Sequence, residues 1–388
     1  IGEGEYLDND ERFIFFSRAV LEFLLKANIT LDIIHCNSWP ASLIPVFLKT
    51  HYSHKNLFKK TATVFTLHNI AYQGKFPPET LALTGLNWDY FTPSQLSFNG
   101  KFNFLKAGLI FSDVINTVSA AYKKEIQREK NGCGLEEVLK KRKDVFFSIR
   151  NGIDYETWNP EKDSHIASNY SLSNLEPKKA CKLDLLKEFG LKLSAGAPLL
   201  GIVSYLSSQK GFDILLDSLD ELMRLELGLV ILGKGDEKYQ NLFSSVQKKY
   251  PQKVAVRFEI NTTLAHKVVA GADILLIPSL YEPCGLSQLC SFRYGTVPLV
   301  RATGGLGETV KPFNPKTMEG NGFVFKDYSP RALLDSIKEA LTFYYNPPLW
   351  RKVIEAGFRE NFSWESSARK YVRLYKRAIE IKRGEQVG

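Results

Sequence analysis

Short runs of β-branched and aliphatic residues recur along the chain, separated by segments with a helical period. Continuous apolar runs of this length are typical of strands that are buried on both faces of a parallel sheet. The predicted strands cover residues 31–35, 63–66, 114–118, 146–150, 199–203, 229–232, 254–258, 274–278 and 297–300. Because strands alternate with helices, the pattern predicts βαβ units and an α/β fold.

The helical segments have apolar residues at every third or fourth position. The clearest stripe consists of Phe212, Leu215, Leu216, Leu219, Leu222 and Met223. The last segment, which follows the cap-like Ser363, has a stripe formed by Ala368, Tyr371, Val372, Tyr375 and Ile379. Such stripes are typical of helices that pack against a core, so we expect both segments to be packed.

The alternation of strands and helices stops between residues 155 and 197. This stretch has no convincing strand, is rich in Lys, Asn, Ser and Pro, and ends in Ser-Ala-Gly-Ala-Pro at 194–198. Since Gly and Pro interrupt regular structure, we expect a hinge between two α/β units. The predicted organisation has an N-terminal domain, a linker, a C-terminal domain and a helical tail that packs back on the cleft, at 1–165, 166–197, 198–348 and 349–388.

Composition narrows the possible functions. The 388 residues are 44% hydrophobic and 24% charged, which is typical of a globular protein of two or three domains. No apolar run approaches the ~18–20 residues of a membrane span. Lys and Arg number 51 against 42 Asp and Glu, and this excess is spread along the chain. The charge therefore favours a basic surface, or a site for a small anion, over nucleic acid.

The cysteines and the start of the chain bear on its location. The five cysteines, at positions 36, 133, 181, 284 and 290, fit neither a zinc site nor a disulfide framework. This usage suits a reducing compartment, so we expect a cytoplasmic protein. The chain begins with Ile1, and its first residues are acidic, unlike the basic start of a signal peptide. We therefore expect a fragment whose front end is missing.

The most informative segment follows the predicted strand at 274–278. It contains Glu282, Cys284 and Gly285, and a new helix is expected to start near Leu286. A carboxylate at the end of a strand can accept hydrogen bonds from hydroxyl groups, while the free N–H groups of a helix start face an anion. An ordinary helix cap is the alternative interpretation. The coincidence of an acid, a thiol and a glycine turn argues against it.

Three further turns follow predicted strands of the C-terminal half. Paired glycines let the backbone approach a ligand closely, and a lysine at a helix start can help to hold a phosphate. Plain turns and a solvated lysine are the alternative interpretations. The candidate residues in these turns are Lys210, Gly233, Asp236, Thr303, Gly304, Gly305 and Leu306.

Two candidates lie in the N-terminal half. His68 follows the predicted strand at 63–66 and is expected on the side that faces a cleft. A single histidine in a packed loop is more often structural than a ligand. Asn151 belongs to an Asn-Gly turn that closes this half and points toward the same rim.

Together these segments resemble the bacterial glycogen synthase and plant starch synthase family, which are retaining glucosyltransferases of the two-domain GT-B fold. The resemblance runs from Asp-Glu-Arg-Phe at 10–13 to Phe-Ser-Trp at 362–364 and covers nearly the whole chain. Its most specific parts are His-Asn-Ile-Ala-Tyr-Gln-Gly at 68–74 and Glu-Pro-Cys-Gly-Leu at 282–286. It implies two Rossmann-like, doubly wound domains that face a cleft, the first of them incomplete and on the acceptor side.

The resemblance also implies a reaction. Glucose would pass from ADP-glucose or UDP-glucose to the non-reducing 4-OH of an α-1,4-glucan with retention. Lys210 and the N–H groups at 304–306 would bind the diphosphate, Glu282 the donor glucose, and His68 with Asn151 the sugar and the acceptor. No metal, other cofactor, nucleic acid or membrane is implied, and the location is the cytoplasm, or the plastid stroma in a plant or alga.

Several departures from the family pattern concern the donor site. The family's Lys-x-Gly-Gly-Leu loop does not occur in this sequence. Tyr205 stands where the family has an arginine that clamps the diphosphate, and Ser38 stands where it has an acid near the glucose. Ile260 replaces the aromatic residue that covers the base. The residues expected to bind substrate are Asn151, Tyr205, Gly233, Asp236, Ile260, Cys284, Gly285, Leu286, Thr303, Gly304, Gly305 and Leu306, with Lys210, Glu282 and His68 as catalytic residues.

Three interpretations follow from these departures. The chain is a piece of an active enzyme, a catalytically degenerate glucan- or nucleotide-binding homologue with a regulatory role, or a module that binds another anion. An upstream Lys-x-Gly-Gly-Leu segment would favour the first interpretation. For the 388 residues by themselves we expect little or no transfer, because positioning and charge stabilisation fail together when a site cannot close.

Overall fold

A computed structural model describes residues 6–194 and 196–384. Glu3 and Glu5 of the acidic start and Ala195 of the breaker segment lie outside the described residues. The chain forms two compact units. The first contains the residues up to Arg150 together with those from Ser367 onward, and the second contains Asn151–Ser366.

All nine predicted strands are present, and four short strands were not predicted. The strands are β1 (Ile33–Asn37), β2 (Ala62–Leu67), β3 (Lys75–Phe76), β4 (Ser97–Phe98), β5 (Lys101–Asn103), β6 (Val114–Thr117), β7 (Phe146–Ser148), β8 (Leu199–Val203), β9 (Gly228–Leu232), β10 (Val254–Arg257), β11 (Ile274–Ile277), β12 (Val297–Arg301) and β13 (Phe323–Phe325). The unpredicted strands, β3, β4, β5 and β13, have only two or three residues, which is too short to produce a recognisable hydrophobic pattern.

Helices separate the consecutive strands of the two parallel sheets within each unit. They are α1 (Asn9–Lys26), α2 (Leu43–Lys49), α3 (Thr80–Thr84), α4 (Phe104–Phe111), α5 (Ala120–Glu125), α6 (Glu136–Lys141), α7 (Lys178–Phe189), α8 (Phe212–Leu222), α9 (Glu237–Lys249), α10 (Thr262–Gly271), α11 (Ser287–Arg293), α12 (Gly304–Thr309), α13 (Pro330–Tyr344), α14 (Pro347–Phe358) and α15 (Trp364–Arg383). Among the described residues, no helix has the length and apolar character needed to cross a bilayer.

The first unit is built on a parallel sheet with the strand order β1-β2-β6-β7. All six residues of β2 are buried, as expected for a strand in the middle of a sheet that is covered on both faces. A small antiparallel sheet with the strand order β3-β5-β4 is formed by the part of the sequence between β2 and β6. Asn103 ends β5 and caps α4 by accepting a hydrogen bond from the backbone N–H of Lys106.

Helix α15 packs in the first unit from Ser367 onward. Leu374 and Ala378 are buried in one cluster with Val64 and Val114 of the sheet. The predicted stripe was partly wrong, since Val372 is 52% exposed. Tyr371 and Tyr375 of the predicted stripe are partly buried against this cluster, as is Ile381. The fully buried positions are Leu374 and Ala378, which the predicted stripe did not include.

The second unit is built on a six-stranded parallel sheet with the order β10-β9-β8-β11-β12-β13. The chain moves outward from β8 to β10 on one side and then returns to β11 on the other side of β8. This reversal makes the carboxyl edge between β8 and β11 a topological switch point, where ligands bind in open α/β sheets. Helix α8 supplies Phe212, Leu215 and Leu219 to the core under this sheet.

The unit boundaries differ from those expected from the sequence. Residues 151–197 pack within the second unit and do not form a separate linker. Helix α7 lies in this stretch, and its Lys178 and Lys182 donate hydrogen bonds to the carbonyls of Ala270 and Ala197. Lys182 also forms an ion pair of 2.7 Å with Asp273, and burial lowers the pKa of Lys178 to about 8. The lysines that suggested a linker are therefore buried or half-buried, and both are hydrogen-bonded.

Candidate active site

Five adjacent strands of the second unit end at one edge of the sheet, and a predicted site loop follows each of them. The loop with Lys210 follows β8, and the loop with Glu282 follows β11. These two strands pair directly with each other. The strand order therefore brings two residues together that are separated by 72 positions in the sequence.

The Lys210 and Glu282 side chains form an ion pair. The Lys210 Nζ lies 2.7 Å from the Glu282 Oε2, and the two side chains are 22% and 10% exposed. Ser279 is fully buried, and its hydroxyl donates a hydrogen bond of 3.1 Å to the same carboxylate oxygen. Since a carboxylate and an ammonium group that lose water interact strongly, this cluster concentrates charge at the switch point.

Backbone contacts hold the two loops close together. The Gln209 carbonyl accepts a hydrogen bond of 2.8 Å from the N–H of Leu280, and the Gln209 Nε2 donates one to the Tyr281 carbonyl. Gly211 has a φ of +73°, and a Cβ there would lie 2.0 Å from the Pro278 carbonyl oxygen. Only glycine fits this close approach. Gln209 was not predicted, although it directly precedes Lys210 in the sequence.

The paired glycines at the start of α12 pack against the loop that carries Glu282. The Gly305 N–H donates a hydrogen bond of 3.0 Å to the Glu282 carbonyl, and the Leu306 N–H donates to Thr303. A Cβ at Gly304 would lie 2.0 Å from the Glu282 carbonyl oxygen. The predicted diphosphate donors at 305 and 306 therefore bind backbone carbonyls in this geometry, and the glycines serve the close packing of two loops.

Gln288 joins the loop that carries Glu282 to the end of α12. It is fully buried, and its Nε2 donates hydrogen bonds to the carbonyls of Cys284 and Gly285 and to the Thr309 hydroxyl. Cys284 is buried, whereas Leu286 is 49% exposed. The sequence offered a signal for Gln288, since it ends the motif segment that begins at the strand.

The turn after β9 packs against the loop after β8. The Asp236 N–H donates a hydrogen bond of 2.7 Å to the Leu206 carbonyl, and a Cβ at Gly233 would lie 1.8 Å from the Ser204 carbonyl oxygen. The Asp236 side chain is exposed, and Tyr205 is 38% exposed. The turn thus supports the backbone next to Tyr205.

In the first unit, His68 follows β2, and its Nε2 lies 3.0 Å from the Asn37 Oδ1 at the end of β1. Burial lowers the pKa of His68, which favours the neutral ring. Ser38 directly follows Asn37 in the sequence, and its backbone has φ 58° and ψ 178°, a conformation that residues other than glycine rarely adopt. His68 therefore lies at the carboxyl edge of this sheet and contacts the end of β1, directly before the strained Ser38.

His35 is another half-buried histidine of the first unit, and no motif in the sequence indicated a role for it. Its Nε2 lies 2.7 Å from the Thr66 hydroxyl, and its Nδ1 lies 2.9 Å from the Tyr375 hydroxyl. Burial, with a smaller effect of His68, lowers the pKa of His35 to about 4. The ring is thus neutral at pH 7 and joins β1 and β2 to α15.

This pKa predicts a loss of stability in mild acid. An unfolded histidine has a pKa of about 6.5, so between pH 7 and pH 4 the unfolded chain takes up a proton that the folded chain does not. The free energy of unfolding should therefore fall as the pH drops through this window. In His35→Asn the decline should be shallower, as measured by urea unfolding at several pH values.

His54 provides the matched control, because it is an exposed histidine of the same unit. The same substitution there, His54→Asn, should leave the pH dependence as it is in the wild type. Equal slopes for His35→Asn and the wild type would show that His35 does not carry this dependence.

Comparisons with known proteins show the family to which the chain belongs. The family model described as starch synthase catalytic domain matches residues 2–141, and the model described as glycosyl transferases group 1 matches residues 187–359. A glycogen synthase of Koribacter versatilis is 45% identical over 98% of this chain and 78% of its own length. A glycogen synthase of Thermotoga maritima is 46% identical over 96% of this chain and 77% of its own length. This chain belongs to the glycogen synthase family.

A solved structure of a related enzyme has the same fold as this glycogen synthase family member. The catalytic domain of starch synthase IV from Arabidopsis thaliana, bound to ADP and acarbose, superimposes with a TM-score of 0.92. It is 30% identical in sequence, and the match covers 97% of this chain and 79% of that one. The expected α/β fold of the GT-B class, and the glucosyltransferase class of glycogen and starch synthesis, are therefore confirmed.

Two further predicted residues of this glycogen synthase family member are Ile260 and Asn151. Ile260 follows β10 and is 77% exposed. The Oδ1 of Asn151 is buried without a hydrogen-bond partner among residues 6–194 and 196–384. The next residue is Gly152, and a larger side chain does not fit there, because a Cβ would lie 2.5 Å from the Trp364 backbone nitrogen. An unsatisfied buried amide oxygen is costly, which is a reason to consider Asn151 a ligand-binding residue.

Proposed function

We propose that this chain carries the donor site of an enzyme that transfers glucose from ADP-glucose to the non-reducing 4-OH of an α-1,4-glucan with retention at C1. The observation that carries this proposal is the Lys210–Glu282 ion pair at the switch point of the second sheet. ADP as the nucleotide and a glucan as the acceptor are supported by the related starch synthase IV of Arabidopsis, which binds ADP and acarbose.

Lys210 is the group that binds the diphosphate. Its ammonium carries a full positive charge next to the carboxyl end of β8, and Gly211 lets the loop turn closely there. When the bond between C1 of the glucose and the diphosphate oxygen breaks, negative charge moves to the departing diphosphate. A fixed ammonium stabilises this charge without reorganising solvent.

Glu282 is the group that orients the donor glucose. Its Oε2 accepts the hydrogen bonds from Lys210 and Ser279, so its Oε1 can accept hydrogen bonds from sugar hydroxyls. The acceptor 4-OH forms the new bond to C1 on the face that the diphosphate leaves, and its proton passes to the diphosphate. A negative carboxylate nearby also stabilises the positive charge that develops on the sugar ring.

The remaining predicted residues have supporting roles in this proposal. His68 and Asn151 bind the sugar and the acceptor, and the loops at 233–236, 284–286 and 303–306 shape the nucleotide site. The transfer needs no metal or other cofactor, no nucleic acid and no membrane. We also propose a cytoplasmic location, since the five cysteines, all within the described residues, form no disulfides and four of them are buried.

A transfer assay tests this function. The chain is incubated with ADP-glucose or UDP-glucose carrying labelled glucose, with glycogen as the acceptor, and the label in the polymer is counted. The 388 residues by themselves are expected to transfer little or no glucose, so they are assayed beside a longer version in which the upstream residues are restored. In the longer version we expect transfer from ADP-glucose, and complete release of the label by an enzyme specific for α-1,4 bonds. Label in a β-linked product would contradict retention, and no transfer from either donor by the longer version would contradict the proposal. Robust transfer by the 388 residues alone would contradict the expectation that they are inactive.

A second candidate function is binding without transfer, and Tyr205 is the observation that favours it. The family's arginine is missing at this position, and the Tyr205 side chain is partly exposed beside Leu206. A degenerate homologue would bind ADP in a calorimeter but incorporate no label. In that case Tyr205→Arg should restore measurable transfer, whereas an active wild-type chain excludes this candidate.

A further inference from the structure

The Glu282 carboxylate is held from two sides through a single oxygen. Lys210 Nζ and Ser279 Oγ both donate to Oε2, at 2.7 and 3.1 Å. The side chain of Glu282 is 10% exposed, so few water molecules compete for these bonds. Two donors on one oxygen fix the plane of the carboxylate and direct Oε1 away from them.

The two donors differ in how firmly they are bound to this partner. Lys210 is a long, flexible side chain that is 22% exposed. In the proposed function it also binds the diphosphate, whose oxygens compete with Glu282 for the ammonium. During turnover, therefore, the lysine cannot be the group that keeps the carboxylate in place at every step.

Ser279 has no such second task. Its side chain is fully buried and short, with a single side-chain dihedral angle to the hydroxyl. It comes two residues after the end of β11, and its neighbour Pro278 packs directly against Gly211. The Leu280 N–H is bound to the Gln209 carbonyl, so the backbone is tied down on the other side as well. The hydroxyl is thus a rigid donor.

We propose that Ser279 is a positioning residue that keeps the Glu282 carboxylate oriented toward the donor sugar while Lys210 is engaged by the diphosphate. This inference rests on the proposed function of the same site. It assigns a role to a serine that the sequence motif contains but that the predicted set of site residues omitted. Ser279 acts through Glu282 and does not itself contact the substrate.

The test compares Ser279→Ala with the wild type in three measurements: kcat of glucose transfer, the Kd of ADP-glucose and the Kd of ADP. We expect kcat to fall by about tenfold, in line with the loss of a hydrogen bond to a charged group. The Kd of ADP-glucose should rise at least threefold, and the Kd of ADP should change by less than twofold, because ADP lacks the sugar.

Two further variants separate positioning from a general effect on folding. Ser279→Thr keeps the hydroxyl and should recover most of the lost kcat. Ser218→Ala is the matched control, because Ser218 is also buried and donates a single hydrogen bond, to the Leu215 carbonyl in α8. This control should leave both dissociation constants and kcat unchanged.

These measurements test the positioning role of Ser279 separately from the proposed function. An unchanged kcat and an unchanged Kd of ADP-glucose in Ser279→Ala would overturn the role of Ser279, while the wild-type activity would still support the transferase. A parallel loss of ADP binding and of thermal stability would also overturn it, since the serine would then be structural. If the wild type bound ADP-glucose without transferring glucose, the proposed function would fail, and the two dissociation constants alone would decide about Ser279.

Discussion

Replacing Glu282 with glutamine should lower kcat for glucose transfer by about 100- to 1000-fold, the range found when one group that stabilises transition-state charge is removed. The glutamine keeps the size and shape of the side chain but loses its negative charge. The side chain of Glu282 is 10% exposed and accepts hydrogen bonds from Lys210 and Ser279. The substitution therefore removes the ion pair with Lys210 at the switch point. The label incorporated from ADP-glucose into glycogen measures this effect.

The position of the substitution should matter more than the change in charge. Glu226→Gln is the matched control, because Glu226 is exposed and precedes β9 at the opposite edge of the sheet. That variant should transfer glucose at the wild-type rate. Wild-type transfer by Glu282→Gln would remove Glu282 from the active site and, with it, the observation on which the proposed function depends.

The substitution Lys210→Gln is expected to weaken ADP binding and transfer together. In the proposed function the Lys210 ammonium binds the diphosphate. Hydrogen bonds between charged groups contribute about 1.5–3 kcal/mol, so the Kd of ADP should rise by about 10- to 100-fold. The loss in kcat should be larger, since charge on the diphosphate increases as the C1–O bond breaks. Calorimetry with ADP and the transfer assay measure the two effects.

A charge-preserving variant and a distant lysine serve as controls for this prediction. Lys210→Arg should bind ADP better than Lys210→Gln, whereas Lys187→Gln, on the exposed side of α7, should behave as the wild type. Because the two side chains act as a unit, the double variant of Lys210 and Glu282 should lose less activity than the two single losses combined. An ADP affinity equal to the wild type in Lys210→Gln would contradict the assignment.

The repeated buried strands were predictable because each carries its own local signal. β8 begins and ends where the apolar run at 199–203 does, and the others agree to within a few residues. A continuous apolar run between turn residues can be recognised without knowledge of its neighbours. The candidate loops were found for the same reason, because they directly follow those strands and combine glycine with a charged side chain.

The unit boundaries could not be predicted in the same way. Lys178 and Lys182 made residues 166–197 resemble a linker, yet Lys182 is buried, Lys178 is half-buried, and both ammonium groups donate hydrogen bonds to carbonyls. The partners of these lysines, Ala270 and Asp273, lie about ninety positions later in the sequence. A buried lysine is stable only when distant groups satisfy it, and composition carries no information about those groups.

The sequence by itself determined the α/β architecture, the family and the two charged residues of the candidate site, because hydrophobic runs and short motifs are local. Only the tertiary structure decided that Lys210 meets Glu282, since that contact requires β8 to pair with β11 after the chain has returned from β10. It also decided the use of the glycines. Gly211, Gly304 and Gly305 let backbones pass closely, and the N–H of Gly305 binds the Glu282 carbonyl. The order of the strands fixes these neighbours, and no local pattern encodes that order.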